Sequence, residues 1–461
     1  AGAVRGQSSR SSAMITCREV AAGSGDLRLY RIDAEPKGVA APGLGLDPMA
    51  LLFERVSTAT TRQVVSEFSE SGPPVSASSL RVACHVVSTP DALMIVDATF
   101  PQTGPGIFPF LIDAICRGEG RSIGARPIEL LYTHAHFDHA GGRSAVEAMR
   151  PDVRTFAHPY IAAQFPISSR PDQMFRSDGH FLRDCGIGQG FEELAGEFER
   201  MREGLLDRLP PDADLTLMRG EGDAQLAVDV PIDIDASDAQ SFPLLAGRAK
   251  AMRFDGHMPG HLCVVVDDEH LISGDMWLPA TTSTVTPGRR ASRAGVPADR
   301  CGVRRYVDSS ARLLRLPVDR HMSYPSHESI FSNPKRMAMR DLESFASRLE
   351  RIYAVLAEHQ AKAMRVLDLA WGGSSRLPIW KVLGSKYRLF MAHEEATAYV
   401  EDLVAVGDLE EVAPERYVWT GNSALKSEIL DVLAAARRRF GHLEFQSRGG
   451  STSSAAPSTG E

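Results

Sequence analysis

Residues 128–142 read Ile128-Glu129-Leu130-Leu131-Tyr132-Thr133-His134-Ala135-His136-Phe137-Asp138-His139-Ala140-Gly141-Gly142. The opening residues, 128–133, are mostly apolar and predict a buried strand. The stretch that follows packs His134, His136, His139 and Asp138 into six consecutive positions. Such density is hard to explain as packing, because a buried polar group without a partner is costly. It suits a metal site, since neutral His nitrogens and Asp oxygens ligate Zn(II) and similar ions. Beyond Gly141 and Gly142, Ser144-Ala145-Val146-Glu147-Ala148-Met149 predicts a helix. The polar string therefore sits on a strand-to-helix loop, where the sites of open α/β sheets collect.

The string from Thr133 to Gly142 resembles the signature of the metallo-β-lactamase-fold hydrolase superfamily. Further motifs follow in the family's order. Gly256-His257-Met258-Pro259-Gly260-His261 resembles its Gly-His-Thr-Pro-Gly-His turn, with His257 in the ligand position and Met258 in place of the usual Thr. Leu271-Ile272-Ser273-Gly274-Asp275 is similar to the strand whose terminal carboxylate bridges two metals. Tyr324-Pro325-Ser326-His327 resembles the last His motif, and Leu93-Met94-Ile95-Val96-Asp97 resembles a strand ending in a supporting Asp. Together the motifs span residues 93–327. The resemblance implies an α/β fold, the metallo-β-lactamase αββα sandwich. It also implies two divalent ions, expected to be zinc. One would be held by His134, His136 and His257, the other by Asp138, His139 and His327. Asp275 would bridge them and Asp97 would fix ligand orientation from behind. The resemblance also gives Asp138 a catalytic role: it would orient the nucleophile and pass a proton onward.

With 461 residues the chain is long enough for a large core and more than one domain. The net charge of −8 argues against a nucleic-acid partner, because phosphate binding needs a basic face. No apolar run approaches the length of a membrane span. Residues 1–13 are small and polar and contain no apolar signal-peptide core. The six cysteines are scattered without CxxC spacing, so neither a disulfide framework nor a Cys-based zinc site is implied. A reducing cytoplasm is the default location.

The pattern divides the chain into an N-terminal tail (1–13), a catalytic domain (14–335), a C-terminal domain (336–446) and a disordered tail (447–461). Strand-like runs fall at 27–30, 82–87, 249–254, 263–266 and 271–273, and residues 69–79 form a Gly/Pro/Ser-rich loop. The stretch from His139 to His257 is long for the family and predicts a helical insertion at about 159–215. Within it Phe191, Leu194, Phe198, Met201, Leu205 and Leu209 recur at helical steps. We read this as a cap over the metal site, in preference to a helix on the outside of the fold. Trp277 divides evenly between pocket wall and core. His158, His180, His261, His270 and His321 read as satisfied structural histidines, and His359, His393 and His442 as surface residues.

After His327, Leu342, Phe345, Leu349, Ile352 and Leu356 predict a helix, with more helices at 363–370, 393–406 and 424–440 and a strand pair at 409–419. Gly407 fits a helix end. The smaller, mostly helical domain resembles a winged-helix domain at the level of pattern, and packing on the core or on a second subunit is preferred to DNA binding. The function expected is a metal-dependent hydrolase that uses a metal-bridging hydroxide to cleave a small ester, thioester or lactone. The alternatives are a mononuclear-iron thiol or persulfide dioxygenase, and a nucleic-acid-associated protein acting through the C-terminal domain. The expected partner is a small-molecule substrate, with no nucleic acid and no membrane; a homo-oligomer stays open.

Overall fold

In the computed structural model, the described residues are 14–22, 26–35, 82–98, 112, 115–120, 126–141, 146, 153–168, 226, 228–235, 241–279, 281–360, 362–371 and 386–440. Two sheets form the frame. The first runs in sequence order through β1 (Met14–Ala22), β2 (Arg28–Glu35), β3 (Val82–Ser88), β4 (Leu93–Val96), β5 (Ile128–Leu131), β6 (Arg154–Ala157) and β7 (Val230–Pro231). Strands β1 to β4 pair antiparallel, whereas β4 to β7 pair parallel. The second sheet has β8 (Phe242–Leu244), β9 (Ala249–Arg253), β10 (Leu262–Val266), β11 (His270–Gly274), β12 (Met322–Pro325) and β13 (Phe331–Ser332), again neighbour to neighbour. Within it only β11 and β12 pair parallel.

Burial follows the layering. All of β4, Leu-Met-Ile-Val, is buried, as a strand covered on both faces requires. In the second sheet side chains alternate. Ala251, Leu262, Val264, Val266 and Ile272 join a core shared with the first sheet, while Met252, Cys263, Val265 and Leu271 face helices. That period of two is what the pleat dictates for a strand between two layers. Helix α2 (Pro159–Ser168), which follows the short α1 (Phe137–Ala140), gives Ile161 and Phe165 to the first core. The order helix, sheet, sheet, helix is the expected αββα sandwich.

The outer helices of the second sheet are α3 (Gly288–Arg293), α4 (Val303–Arg315), α5 (Pro334–His359), α6 (Val366–Trp371), α7 (Lys386–Ala405) and α8 (Ala424–Phe440). Between α7 and α8 lies the hairpin of β14 (Leu409–Ala413) and β15 (Arg416–Trp419), and Gly407 closes α7 at φ +77°. All five apolar residues of the α5 stripe are buried. One apolar cluster runs from Met252 and Phe254 through Tyr306 of α4 and Phe345 of α5 to Tyr399 of α7 and Leu425 of α8. The helices after His327 thus continue the packing of the sandwich.

Some sequence readings are corrected. Helix α4 went unread, although Val303, Tyr306, Val307, Ser310 and Leu314 have helical spacing and are buried. Its mean hydropathy is low because arginines fill the other face. His393 is fully buried on α7, where Ala396, Thr397 and Val400 are buried too. Trp277 is a core residue with no exposure; its indole N–H donates to Ser310 Oγ at 3.2 Å and its ring meets Phe254 edge-on. The helix read at 144–149 (apart from Val146), the loop at 69–79, both tails and the insertion beyond α2 lie outside the described residues, as do His180 and His442.

Phe345 has no exposure and packs on Tyr306, with ring centroids 4.9 Å apart. Phe345→Ala should cost about 3–5 kcal/mol of stability in urea unfolding. Because the cluster is continuous, the loss should shift a single transition; two separated transitions would contradict the shared core.

Candidate metal centre

Every ligand candidate lies where a strand of the sandwich ends or turns. Asp97 follows β4, the His134–His139 string follows β5, His257 sits in the β9–β10 turn, Asp275 follows β11 and His327 follows β12. The structure brings them all together. Donor atoms of His134, His136, His257 and Asp275 lie within 4.8 Å of one another, and those of Asp138, His139 and His327 form a second group within the same distance. Asp275 joins the groups. Its Oδ2 lies 3.8 Å from His134 Nε2 and 3.7 Å from His257 Nε2 on one side. On the other it lies 3.4 Å from His139 Nε2 and 3.3 Å from His327 Nε2.

The outer hydrogen bonds decide which nitrogen each imidazole presents. Asp97 accepts from the Thr133 N–H and the Thr133 hydroxyl, both at 2.8 Å, and from Ser326 Oγ at 3.4 Å. Its Oδ2 also meets His139 Nδ1 at 3.0 Å, so Nδ1 carries a proton and Nε2 points inward, offering a lone pair once its own proton is given up. Thr133 spends its one hydroxyl proton on Asp97, so it accepts from His134 Nδ1 at 2.9 Å, and His134 also presents Nε2. His257 Nδ1 donates to the Thr284 carbonyl at 3.0 Å, which again leaves Nε2 free. That nitrogen lies 3.1 Å from His136 Nδ1.

The backbone is shaped to this purpose. Asp97 takes φ +65°, a cost that its dense hydrogen bonding offsets. Gly274, at φ +55°, must be glycine: a Cβ there would meet His261 Nε2 at 2.6 Å. His261 accepts the Asp275 backbone N–H through Nε2 at 3.3 Å and stacks on His134 with ring centroids 5.1 Å apart. It is therefore a positioning residue behind both ligand groups. Its place in the Gly-His-Met-Pro-Gly-His string was the only sequence signal for that role. The turn itself is clasped by Asp255, which accepts the Gly260 N–H at 2.7 Å and is gripped by Arg253 at 2.6 and 2.8 Å.

The electrostatics fit cation binding. Burial, reinforced by neighbouring imidazoles, pushes His134 and His136 well below the usual histidine range, and burial lowers His257, so all three are neutral, the form that can ligate a cation. Burial also disfavours charge on His327, but Asp275 and Asp138 outweigh it and hold that imidazole up at about 10. His139 is raised in the same way. Burial works against the Asp138 carboxylate, yet His139 and His327 bring it down to about 2. Buried His134 Nε2, His139 Nε2 and Asp275 Oδ1 have no hydrogen-bond partner among the described residues. Unmet polar atoms converging on one space are costly unless a cation satisfies them. The donor set, all imidazole and carboxylate, suits zinc, iron or manganese.

No family profile matches the sequence, and no curated protein matches it. Comparison with solved structures finds similarity to metallo-β-lactamase proteins. A family member from Thermus thermophilus is 18% identical, with a TM-score of 0.45 over 74% of this chain and 94% of that one. A β-lactamase domain protein from Burkholderia ambifaria is also 18% identical, with a TM-score of 0.45 over 73% and 88%. An archaeal superfamily protein from Sulfolobus tokodaii is 16% identical, with a TM-score of 0.33 over 60% and 84%.

Two outcomes follow from the geometry. Metal uptake must displace protons from His327 and His139, so apparent affinity should rise with pH from the acid side. Calorimetry in buffers of different ionisation enthalpy should detect proton release at neutral pH; uptake without release would contradict these assignments. Gly274→Ala should lower metal content by displacing His261 and Asp275, which elemental analysis would read directly.

Proposed function

We propose that the chain is a metal-dependent hydrolase that acts on a small ester, thioester or lactone. The observation that carries this reading is the position of Asp275 Oδ2, within 3.8 Å of four imidazole nitrogens drawn from two ligand groups. When bound, two divalent ions supply Lewis acidity and make a water between them acidic enough to act as a nucleophile near neutral pH. The protein's own share is placement. His134, His136 and His257 would hold one ion, and Asp138, His139 and His327 the other, with Asp275 between.

His134, His139, His257 and Asp275 are buried, while His136, Asp138 and His327 are only partly so, with side-chain exposures of 18% and 17% for the last two. Those three mark the open side of the cluster, where substrate would enter. Asp138 stays ionised far below neutral pH and faces that side, so it can accept a hydrogen bond from the attacking water and orient it. Asp97 and Thr133 keep His139 and His134 in the tautomer that faces inward, and His261 keeps the Asp275 backbone in place. The acidic net charge supports a small-molecule substrate over a nucleic acid. So does the Arg437-Arg438-Arg439 run, in which Arg437 is already paired with Glu343 at 2.8 Å. No helix among the described residues is long and apolar enough to cross a membrane.

Elemental mass spectrometry of reconstituted protein should give about two zinc or manganese ions per chain. Asp275→Asn should cut hydrolysis of an ester and lactone panel more than about a hundredfold, beyond what changes to supporting residues cost. A single iron would move the reading to the dioxygenase. No metal after reconstitution would overturn it.

A further inference from the structure

The segment that anchors His257 also carries an arginine that the metal centre does not use. Ser283 Oγ and the Thr284 carbonyl meet His257 Nδ1 at 2.8 and 3.0 Å. Thr286 binds the His257 carbonyl twice, through its N–H at 3.2 Å and its hydroxyl at 2.7 Å. Helix α3 starts immediately afterwards, so it is fastened to a metal-ligand candidate at one end. Helix α7 grips the same end. Glu401 accepts the Gly288 and Arg289 N–H groups, and Arg289 reaches Thr397 and Glu415 at 2.9 Å each.

Arg290 sits in this braced helix and is 8% exposed. Its Nη1 pairs with Glu394 Oε2 at 3.2 Å. Its Nε and Nη2 are buried and have no hydrogen-bond partner among the described residues. These two N–H groups share one edge of the planar guanidinium and point the same way, as a fork matched to the two oxygens of a carboxylate. A permanently charged group is seldom buried with its best bidentate edge unmet. Its field also reaches the metal-site residues: after burial and His257, Arg290 is among the charges that keep His136 neutral. Because Glu394 and the anchored start of α3 hold it still, the fork would lose little freedom on binding.

We infer that Arg290 is a specificity residue whose free edge receives a carboxylate on the acyl substrate, beside the ester, thioester or lactone that the metal centre would cleave. The inference rests on the hydrolase reading above and narrows its substrate to carboxylate-bearing acyl compounds. A neutral ester would leave the fork unpaired. A lysine could supply charge here but no fork.

The test compares zinc-loaded wild type with Arg290→Met and Arg290→Lys on a matched pair, 4-nitrophenyl acetate and the mono-4-nitrophenyl ester of glutaric acid. The preference for the glutarate ester, as a ratio of kcat/KM values, should fall about tenfold to a hundredfold in Arg290→Met. The loss should be carried by KM, and Arg290→Lys should restore only part of it. Equal losses on both esters would overturn the inference and leave Arg290 as a tie to Glu394.

A second readout needs no turnover: calorimetry of succinate against acetate on the zinc-loaded proteins, with zinc content and thermal midpoint as controls. Wild type should prefer succinate, and Arg290→Met should lose that preference; an unchanged preference would overturn the inference. Should wild type hydrolyse neither ester, the hydrolase reading fails, while the succinate comparison still decides the role of Arg290. Should Arg290→Met fail to fold, Arg290→Lys supports the same comparison.

Discussion

The structure turns on one carboxylate. Asp275 is buried among four imidazole nitrogens that come from three separate places in the chain. Holding it there requires the β11 strand end, a glycine at φ +55° before it, and His261 to receive its backbone N–H. A lone buried carboxylate would be expensive; beside the inward nitrogens of His134 and His139, which meet no partner among the described residues, it calls for cations. The sandwich solves the geometric problem this sets. Parallel pairing of β4 with β5, and of β11 with β12, brings four strand ends to one edge, and the β9–β10 turn adds His257.

The site was legible in the sequence because its ligands come in short local strings at strand ends, each with an apolar run before it. His134 to His139, Gly256 to His261, and the strand ending in Asp275 were all read by pattern, and the structure converges them. The strands and the α5 stripe were legible for the same reason, since period two and period 3.6 are local signals. What failed to show has long-range causes. His393 looks like a surface residue on its own helix and is buried only because α7 packs against the other helices. Trp277 lies two residues from Asp275, yet it turns away into the Phe254 and Ser310 packing. His261 gained its role from a contact with Asp275 across 14 positions of chain. The pairing of Arg290 with Glu394 spans 104 positions and leaves no mark on the pattern of either helix.

The helices after His327 brace the site. Glu401 holds the start of α3, and Asp402 accepts the Arg304 N–H at 2.9 Å near the start of α4. Burial lifts the Asp402 carboxyl to about 7, so this brace titrates close to neutrality. Through Thr286 and the 283–284 segment, the same packing reaches His257. A domain that reads in sequence as an appendage therefore helps to set the position of a metal-ligand candidate, by steric and hydrogen-bonded contact.

The central claim is that Asp275 lies between two cations. Anomalous diffraction from crystals of zinc-loaded protein tests it most directly. The account predicts two peaks roughly 3.5–4 Å apart that flank the Asp275 carboxylate, one near His134, His136 and His257 and the other near Asp138, His139 and His327. A single peak, or peaks away from Asp275, would contradict it.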